Sequence, residues 1–539
     1  MSDQDHQPLA PRYDVAVVGA GFAGMYLLYL LRERGFSTVV FETADDVGGT
    51  WYWNRYPGAR CDVRSIDYSY SFDPELEQEW VWSEKYATQP EILRYAQHVA
   101  DRYDLRRDIR FETRVASAVF DEAVERWTVS TDGGEATSAQ FYVMATGCLS
   151  TSKMPEIPGI DSFAGESYHT GHWPHESVDF SGQRVGVIGT GSSGIQSIPI
   201  IAAQAEQVTV FQRTPNFSVP ASNGPNDPEE LAAIKADYPA YREANRASMG
   251  GVPIKLPTVS ALDVDDDVRT EAFEGGWAKG GIFALSALYD DLRLDPAAND
   301  LVAGFVRDKI RAKVDDPAVA EVLCPVDYPF GTKRLCVDSH YFETYNRDNV
   351  RLVNLREQAI TTITPAGLDT TDESFTFDAI VYATGFDAMT GTIVAVDVAG
   401  RGGQTIKDKW ADGPRTYLGL MVAGFPNFFT ITGPGSPSVL SNMMVSIEQH
   451  AEWIADVATS LRDQGVSTIE ATADAEDEWV AHVNEVAEAT LYPQANSWYM
   501  GANVPGKPRV FLPYVGGVGP YRDICNEVAA EGYRGCVLA

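Results

Sequence analysis

Two stretches of this 539-residue chain repeat one pattern: a short apolar run, then Gly-x-Gly-x-x-Gly, then a stretch with helical apolar spacing. The first joins Val15–Val18, Gly19, Gly21 and Gly24, and Met25–Glu33; the second joins Val185–Ile188, Gly189, Gly191 and Gly194, and Ile195–Gln204. A short apolar run bounded by glycine predicts a strand buried on both faces, and the periodic stretch predicts a helix. Between them the glycines permit a tight turn, close approach of a pyrophosphate and close packing of helix on strand. The helix N-terminus then points its free N–H groups at phosphate. The chain is thereby committed to an α/β fold with two Rossmann-like dinucleotide-binding domains.

The two units differ at the end of their second strand, where the ribose lies. After the first helix, STVVFE ends in Glu42, and an acid there accepts hydrogen bonds from ribose hydroxyls, which suits FAD or NAD. After the second, QVTVFQ leads into Arg213-Thr214. An acid would repel the 2′-phosphate of NADP, whereas arginine binds it through two hydrogen bonds. The expected cofactors are therefore FAD in the first unit and NADP in the second, with Thr190, Gly191, Ser192, Ser193, Gly194, Ile195 and Gln196 on the second dinucleotide. Two pockets of different preference in one chain point to hydride transfer from NADPH to FAD.

The net charge of −34 argues against nucleic acid and anionic membrane as partners, so any anionic cofactor must be held by cations placed locally. No apolar run is long enough to span a bilayer. Six scattered cysteines form no CxxC pair, which argues against a zinc site or a close dithiol and suits a reducing cytoplasm. The polar start MSDQDHQPLAPR lacks an apolar signal core, and a cytoplasmic protein is expected, with a monomer favoured.

Along the chain, residues 1–12 are expected to be a flexible tail and 13–150 the first part of the FAD domain. That part includes a helix over Gln89–Arg106, then strands IRFETRVASAVF, RWTVST and AQFYVMATG, with Asp132-Gly-Gly as a hairpin signal. Residues 151–387 are expected to form the NADP domain, carrying a helical insertion at about 222–329. The insertion shows helical spacing in NDPEELAAIKADYPAYREANR and NDLVAGFVRDKIRAKV, and a loop-like SMGGVPIKLPTVSALDVDDD between them. Residues 388–539 return to the FAD domain and end in a segment expected to cover the cofactors.

Between the two glycine motifs lies Phe163-x-Gly165-x-x-x-His169-x-x-x-Trp173-Pro174. This resembles the FxGxxxHxxxWP fingerprint of the type I Baeyer–Villiger monooxygenases, and the likeness runs from about Tyr13 to the C-terminus, nearest to the phenylacetone and steroid branch. The resemblance implies a flavoenzyme that takes a ketone and O2 and inserts one oxygen atom beside the carbonyl, giving an ester or lactone. It implies that the loop carrying Thr50, Trp51, Tyr52 and Trp53, together with Tyr68, Val115 and Met443, meets FAD. It implies that Arg60, Cys61 and Asp62 reach between the cofactors, that Lys333 meets the NADP phosphate and that Trp498 meets the nicotinamide ribose. Arg334 is then the residue that stabilises the reactive oxygen, with Asp62 as its carboxylate partner; Cys148, Leu149, Ser438, Val439 and Leu440 are candidates for the substrate pocket. A flavin monooxygenase acting on amines or sulfides shares both glycine motifs and is the alternative. A disulfide reductase would need a cysteine pair where Trp51-Tyr-Trp stands.

Overall fold

The run Arg12–Val18 (β1) carries Val15, Ala16 and Val17 with almost no exposed surface, as a strand covered on both faces requires. The computed structural model describes residues 10–539; of the expected tail, residues 1–9 lie outside the described residues, and β1 starts at Arg12. β1 is followed by helix α1 (Phe22–Glu33) and strand β2 (Thr38–Phe41), which pairs with β1 in parallel, Val15 opposite Thr38 and Val18 opposite Phe41. On its other side β1 pairs in parallel with Ala136–Met144. Val115–Asp121, Arg126–Thr131 and Ala136–Met144 form an antiparallel meander, and Phe428–Thr430, from late in the chain, joins the same sheet. With Ile109–Arg110 beside β2 and Asp397–Ala399 beside Val115–Asp121, these make one sheet of eight strands. The long helix Met443–Gln464 packs on α1, with the Tyr26 hydroxyl donating to Glu452 (3.1 Å).

The second sheet is wholly parallel. Strand β3 (Arg184–Ile188), helix α2 (Ser192–Gln204) and strand β4 (Gln207–Gln212) form its centre, in the order Val350–Asn354, β4, β3, Ala379–Tyr382, Glu166–His169. Both helices begin earlier than their apolar spacing suggests, directly after the second glycine of each motif. The third glycine therefore lies inside the first helical turn. A methyl group on Gly24 would stand 1.8 Å from the Gly19 carbonyl oxygen, and one on Gly194 would stand 2.4 Å from that of Gly189.

The chain leaves the second sheet through Ser218–Pro220 and returns through Cys336–Asp338, two short strands paired in parallel. Six helices lie between: Pro228–Ala236, Tyr238–Ala247, Asp266–Lys279, Ile282–Ser286, Pro296–Lys313 and Pro317–Leu323. Three start with an Asp-Pro step, in which the aspartate accepts from N–H groups of the first turn and proline occupies the first helical position. Asp266–Lys279 and Ile282–Ser286 are not legible from spacing, because the apolar residues of the first do not form one stripe and the second is only five residues long. The expected loop over 248–267 is irregular up to its last two residues, where a helix begins.

The segments that cross between the sheets run side by side. Lys153 N–H donates to Gly385 O and Asp387 N–H to Thr151 O, each at 2.9 Å. His169 of the fingerprint is buried against them, its Nε2 3.3 Å from Lys153 O and 3.2 Å from Thr384 Oγ1. Gly171 N–H donates to Nδ1 (2.9 Å), so the neutral ring presents Nε2–H to those oxygens. Burial lowers its pKa and keeps it neutral. Trp173 stacks on Tyr168 with ring centres 5.1 Å apart. The fingerprint thus ties the edge of the second sheet to both crossings.

Candidate active site

In the first cradle Gly19 takes a φ of +101°, and a methyl group there would come within 2.7 Å of Ala145 O, so only glycine fits the turn. Glu42, at the end of β2, is buried; its Oε2 accepts from Ala20 N–H (2.7 Å) and its Oε1 from Ala44 N–H (2.9 Å). These bonds fix the acid beside the turn. The short helix Thr50–Trp53 presents Trp51 and Trp53 to one large cavity. Trp51 Nε1–H donates to the Tyr68 hydroxyl (3.1 Å), and Trp53 meets His172 edge-on. Tyr52 turns away, its hydroxyl donating to Asp45 (2.6 Å).

The second cradle faces the same cavity. Nothing lies within 4 Å of a methyl group placed on Gly191, so that side of the turn is open to a ligand. Gln196 of α2 is tied to the first unit: it accepts from the Tyr56 hydroxyl (2.8 Å) and donates to Arg60 O (3.1 Å). Arg60 in turn is paired with Glu84 (2.9 Å). Arg213 follows the end of β4, and Lys333 sits 4.4 Å from the centre of the Tyr328 ring. Burial, and then the positive charge of Arg213, push the Lys333 ammonium down to about 8. Cations gathered against one another in this way make a site for an anion.

Arg334 and Asp62 meet between the cradles. Arg334 Nε–H donates to Asp62 Oδ2 (2.8 Å) and Nη2–H to Oδ1 (2.6 Å), a bidentate pair, while Nη1–H donates to Val439 O (2.8 Å). A guanidinium has five N–H groups. Three are used here and two are left over, with the buried Tyr499 hydroxyl also beside the guanidinium. The Arg334 and Asp62 side chains are 24% and 23% exposed, and both line the cavity. Burial alone would depress the guanidinium, but the Asp62 carboxylate outweighs it and holds Arg334 above its ordinary range. The loop that supplies Val439 O is itself anchored: Ser438, buried and at φ +29°, has its hydroxyl 3.0 Å from the Cys148 thiol.

The cavity encloses about 2100 Å³. That exceeds the about 300–1,000 Å³ of a site for one small ligand and leaves room for two dinucleotides and a substrate. All the residues singled out from the sequence as cofactor contacts line it except Gly24, Tyr52, Gly194 and Ile195. The two glycines face inward against their own turns, Ile195 is in the core of the second sheet, and Tyr52 is held by Asp45. Residues the sequence did not single out also line it, among them His172, Asn216, Tyr328 and Arg356. For Arg356 a signal existed, since it comes after the strand next to β4 as Arg213 comes after β4, but strand order is invisible in one sequence. The open turns, the buried Glu42 and the cation cluster fit FAD in the first cradle and NADP in the second. Above the cavity, Lys153 Nζ donates to Asn503 O, Asn503 Nδ2 to Phe386 O (2.8 Å), and Lys507 Nζ to Asp387 (2.6 Å), tying the C-terminal segment across both crossings. All six cysteines are free. Among the described residues no group of side chains could hold a metal ion, and no helix is long and apolar enough to cross a membrane.

A family profile described as flavin-binding monooxygenase-like matches residues 12–225. The chain is 43% identical over 528 residues to the acetone monooxygenase (methyl acetate-forming) of Gordonia sp. (strain TY-5), covering 98% of this chain and 99% of that one. It is 40% identical over 526 residues to the cyclohexanone 1,2-monooxygenase of Acinetobacter sp, covering 97% and 96%. Among solved structures, that of oxidized steroid monooxygenase bound to NADP is 56% identical and superposes with a TM-score of 0.94, covering 98% of this chain and 99% of that one.

Proposed function

As a type I Baeyer–Villiger monooxygenase, the family to which this chain belongs, the protein oxidises ketones with FAD and NADPH, and we propose that it takes aryl, cyclic or steroid ketones to esters or lactones at a site centred on Arg334. The observation that carries this reading is the bidentate Arg334–Asp62 pair in the wall common to both cradles.

FAD held in the first cradle and NADPH in the second would supply the electrons and the activation of O2. The chain's own residues do the placing. The N–H groups of Arg334 left free by Asp62 and Val439 O stabilise the negative charge that develops on oxygen during insertion, and because they are held in advance they do so with little reorganisation. Asp62 fixes the plane of the guanidinium through its two hydrogen bonds. Glu42 takes the ribose of FAD; Arg213 and Lys333 take the 2′-phosphate of NADP. Trp498 and the segment tied down through Asn503 and Lys507 keep water out.

The pocket supports an apolar ketone. Cys148, Leu149, Val439, Met443 and Trp498 line the cavity and belong to one apolar cluster with Leu440 and Met389, and Val439 O accepts from Arg334. The kinship with a protein named as a steroid monooxygenase agrees with a bulky substrate. The test is product analysis by mass spectrometry with NADPH and air, using an aryl, a cyclic and a steroid ketone with an alkyl sulfide in the same vessel. Esters or lactones are expected; sulfoxide as the sole product would favour the sulfide-oxidising alternative.

A further inference from the structure

Strands β4 and Val350–Asn354 are parallel neighbours, with Gln212 opposite Asn354. The residues just beyond the two strands therefore emerge at the same sheet edge, where ligands of such sheets bind. Arg213 lies directly after β4. Beyond the neighbouring strand, Leu355 N–H donates back to Gln212 O (2.8 Å), and Arg356 comes next. The Arg356 Nε–H donates to Arg213 O (2.9 Å), and its Nη2 is paired with Asp327. Arg356 and Asp327 both line the cavity beside Lys333 and Tyr328, and are 41% and 47% exposed. At this corner the cations Arg213, Lys333 and Arg356 stand with the carboxylate Asp327, and Lys153 lies within electrostatic reach of Arg213 with Glu156 beside it. With or without that second pair two positive charges are left over, which matches the charge of about −2 on a phosphate monoester near neutral pH.

We infer that Arg356 is a specificity-determining residue that helps select NADP over NAD by adding its charge to the 2′-phosphate site. This rests on the reading that Arg213 and Lys333 form that site. Asp327 keeps the Arg356 guanidinium facing the corner before the nucleotide arrives, and the bond to Arg213 O holds the two arginines in register. A surface ion pair alone would not explain that bond or the position of both partners on the cavity wall. NAD carries a neutral 2′-hydroxyl at that position, which gains little from an added positive charge.

The experiment titrates the FAD-loaded enzyme with NADP⁺ and, separately, NAD⁺ by calorimetry, for the parent protein, Arg356→Gln, Arg356→Lys and Arg213→Ala. Arg356→Gln is expected to weaken NADP⁺ about tenfold, as for loss of one charge-assisted contact at a partly exposed site, and to leave NAD⁺ unchanged. The loss should shrink with added salt, and Arg356→Lys should recover most of it. Equal weakening of both nucleotides, or no weakening of NADP⁺, overturns the inference. Should Arg213→Ala weaken NADP⁺ while Arg356→Gln does not, only the role of Arg356 falls; should neither do so, the phosphate site lies elsewhere. Melting temperatures close to that of the parent protein establish that the variants are folded.

Discussion

Replacing Arg334 by lysine keeps the positive charge and removes the geometry. Arg334 spends three of its five N–H groups on Asp62 and Val439 O, and the proposed role requires a remaining one for the reacting oxygen. An ammonium has three N–H groups in all, radiating from a single atom, so it cannot meet both carboxylate oxygens, the carbonyl and the site together. Either Asp62 keeps the ammonium and the site loses its donors, or the ammonium turns to the site and leaves Asp62 without its bidentate partner. The loss of one preorganised donor to a developing oxyanion costs about 3–4 kcal/mol, and about 1.4 kcal/mol is a tenfold change in rate. Arg334→Lys should therefore make ester about 100- to 1,000-fold more slowly than the parent protein. Because the hydrogen bonds of Arg334 go to Asp62 and Val439 O and none goes to a glycine turn, binding of FAD and NADPH should persist. Stopped-flow spectroscopy would follow bleaching of the bound flavin by NADPH, and mass spectrometry the ester; NADPH consumption should then exceed ester formed. A lysine variant with normal ester yield per NADPH would refute the argument that a fixed fork of donors, beyond its charge, is what the site requires.

Three further outcomes are expected. Because the Lys333 ammonium is held down at about 8 until an anion arrives, NADP⁺ binding at pH 8 should draw in a fraction of a proton, and affinity should fall as pH rises above 8; calorimetry in two buffers of different ionisation heat reads this, and absence of uptake at pH 8 would count against Lys333 in the phosphate site. Glu448 is buried, which pushes its carboxyl up to about 7 from an ordinary 4.5, so the folded chain keeps a proton that the unfolded chain loses at lower pH. Its stabilising contribution is complete below about 4.5 and is lost as pH rises through about 7, a change of about 3 kcal/mol; Glu448→Gln, still able to accept from Ser71 N–H, should melt higher at pH 8 and show little advantage at pH 4.5, and a constant difference across that range would contradict this. Gly24→Ala would drive a methyl group into the Gly19 carbonyl and should yield protein without bound flavin, so a yellow, fully loaded variant would disprove the close packing described for the first turn.

Contiguous residues carry the local part of this fold. The two strand–turn–helix units, the acid at Glu42, the arginine at Arg213 and the helices that open with Asp-Pro are set by local sterics, capping and apolar spacing, and all can be read within a window of about 30 residues. The resemblance of the fingerprint added roles for Asp62 and Arg334 that no local rule supplies. Which distant groups meet was settled only when the chain folded. Asp62 and Arg334 are 272 positions apart in the chain, and their pairing depends on the inserted helices returning beside the first unit. Folding also turned Trp51 and Trp53 toward the cavity and Tyr52 away from it, and put Arg356 next to Arg213. The reason is physical: backbone preference and hydrophobic period act over a few residues, whereas a hydrogen bond or an ion pair depends on separation in space, and strand order sets that separation.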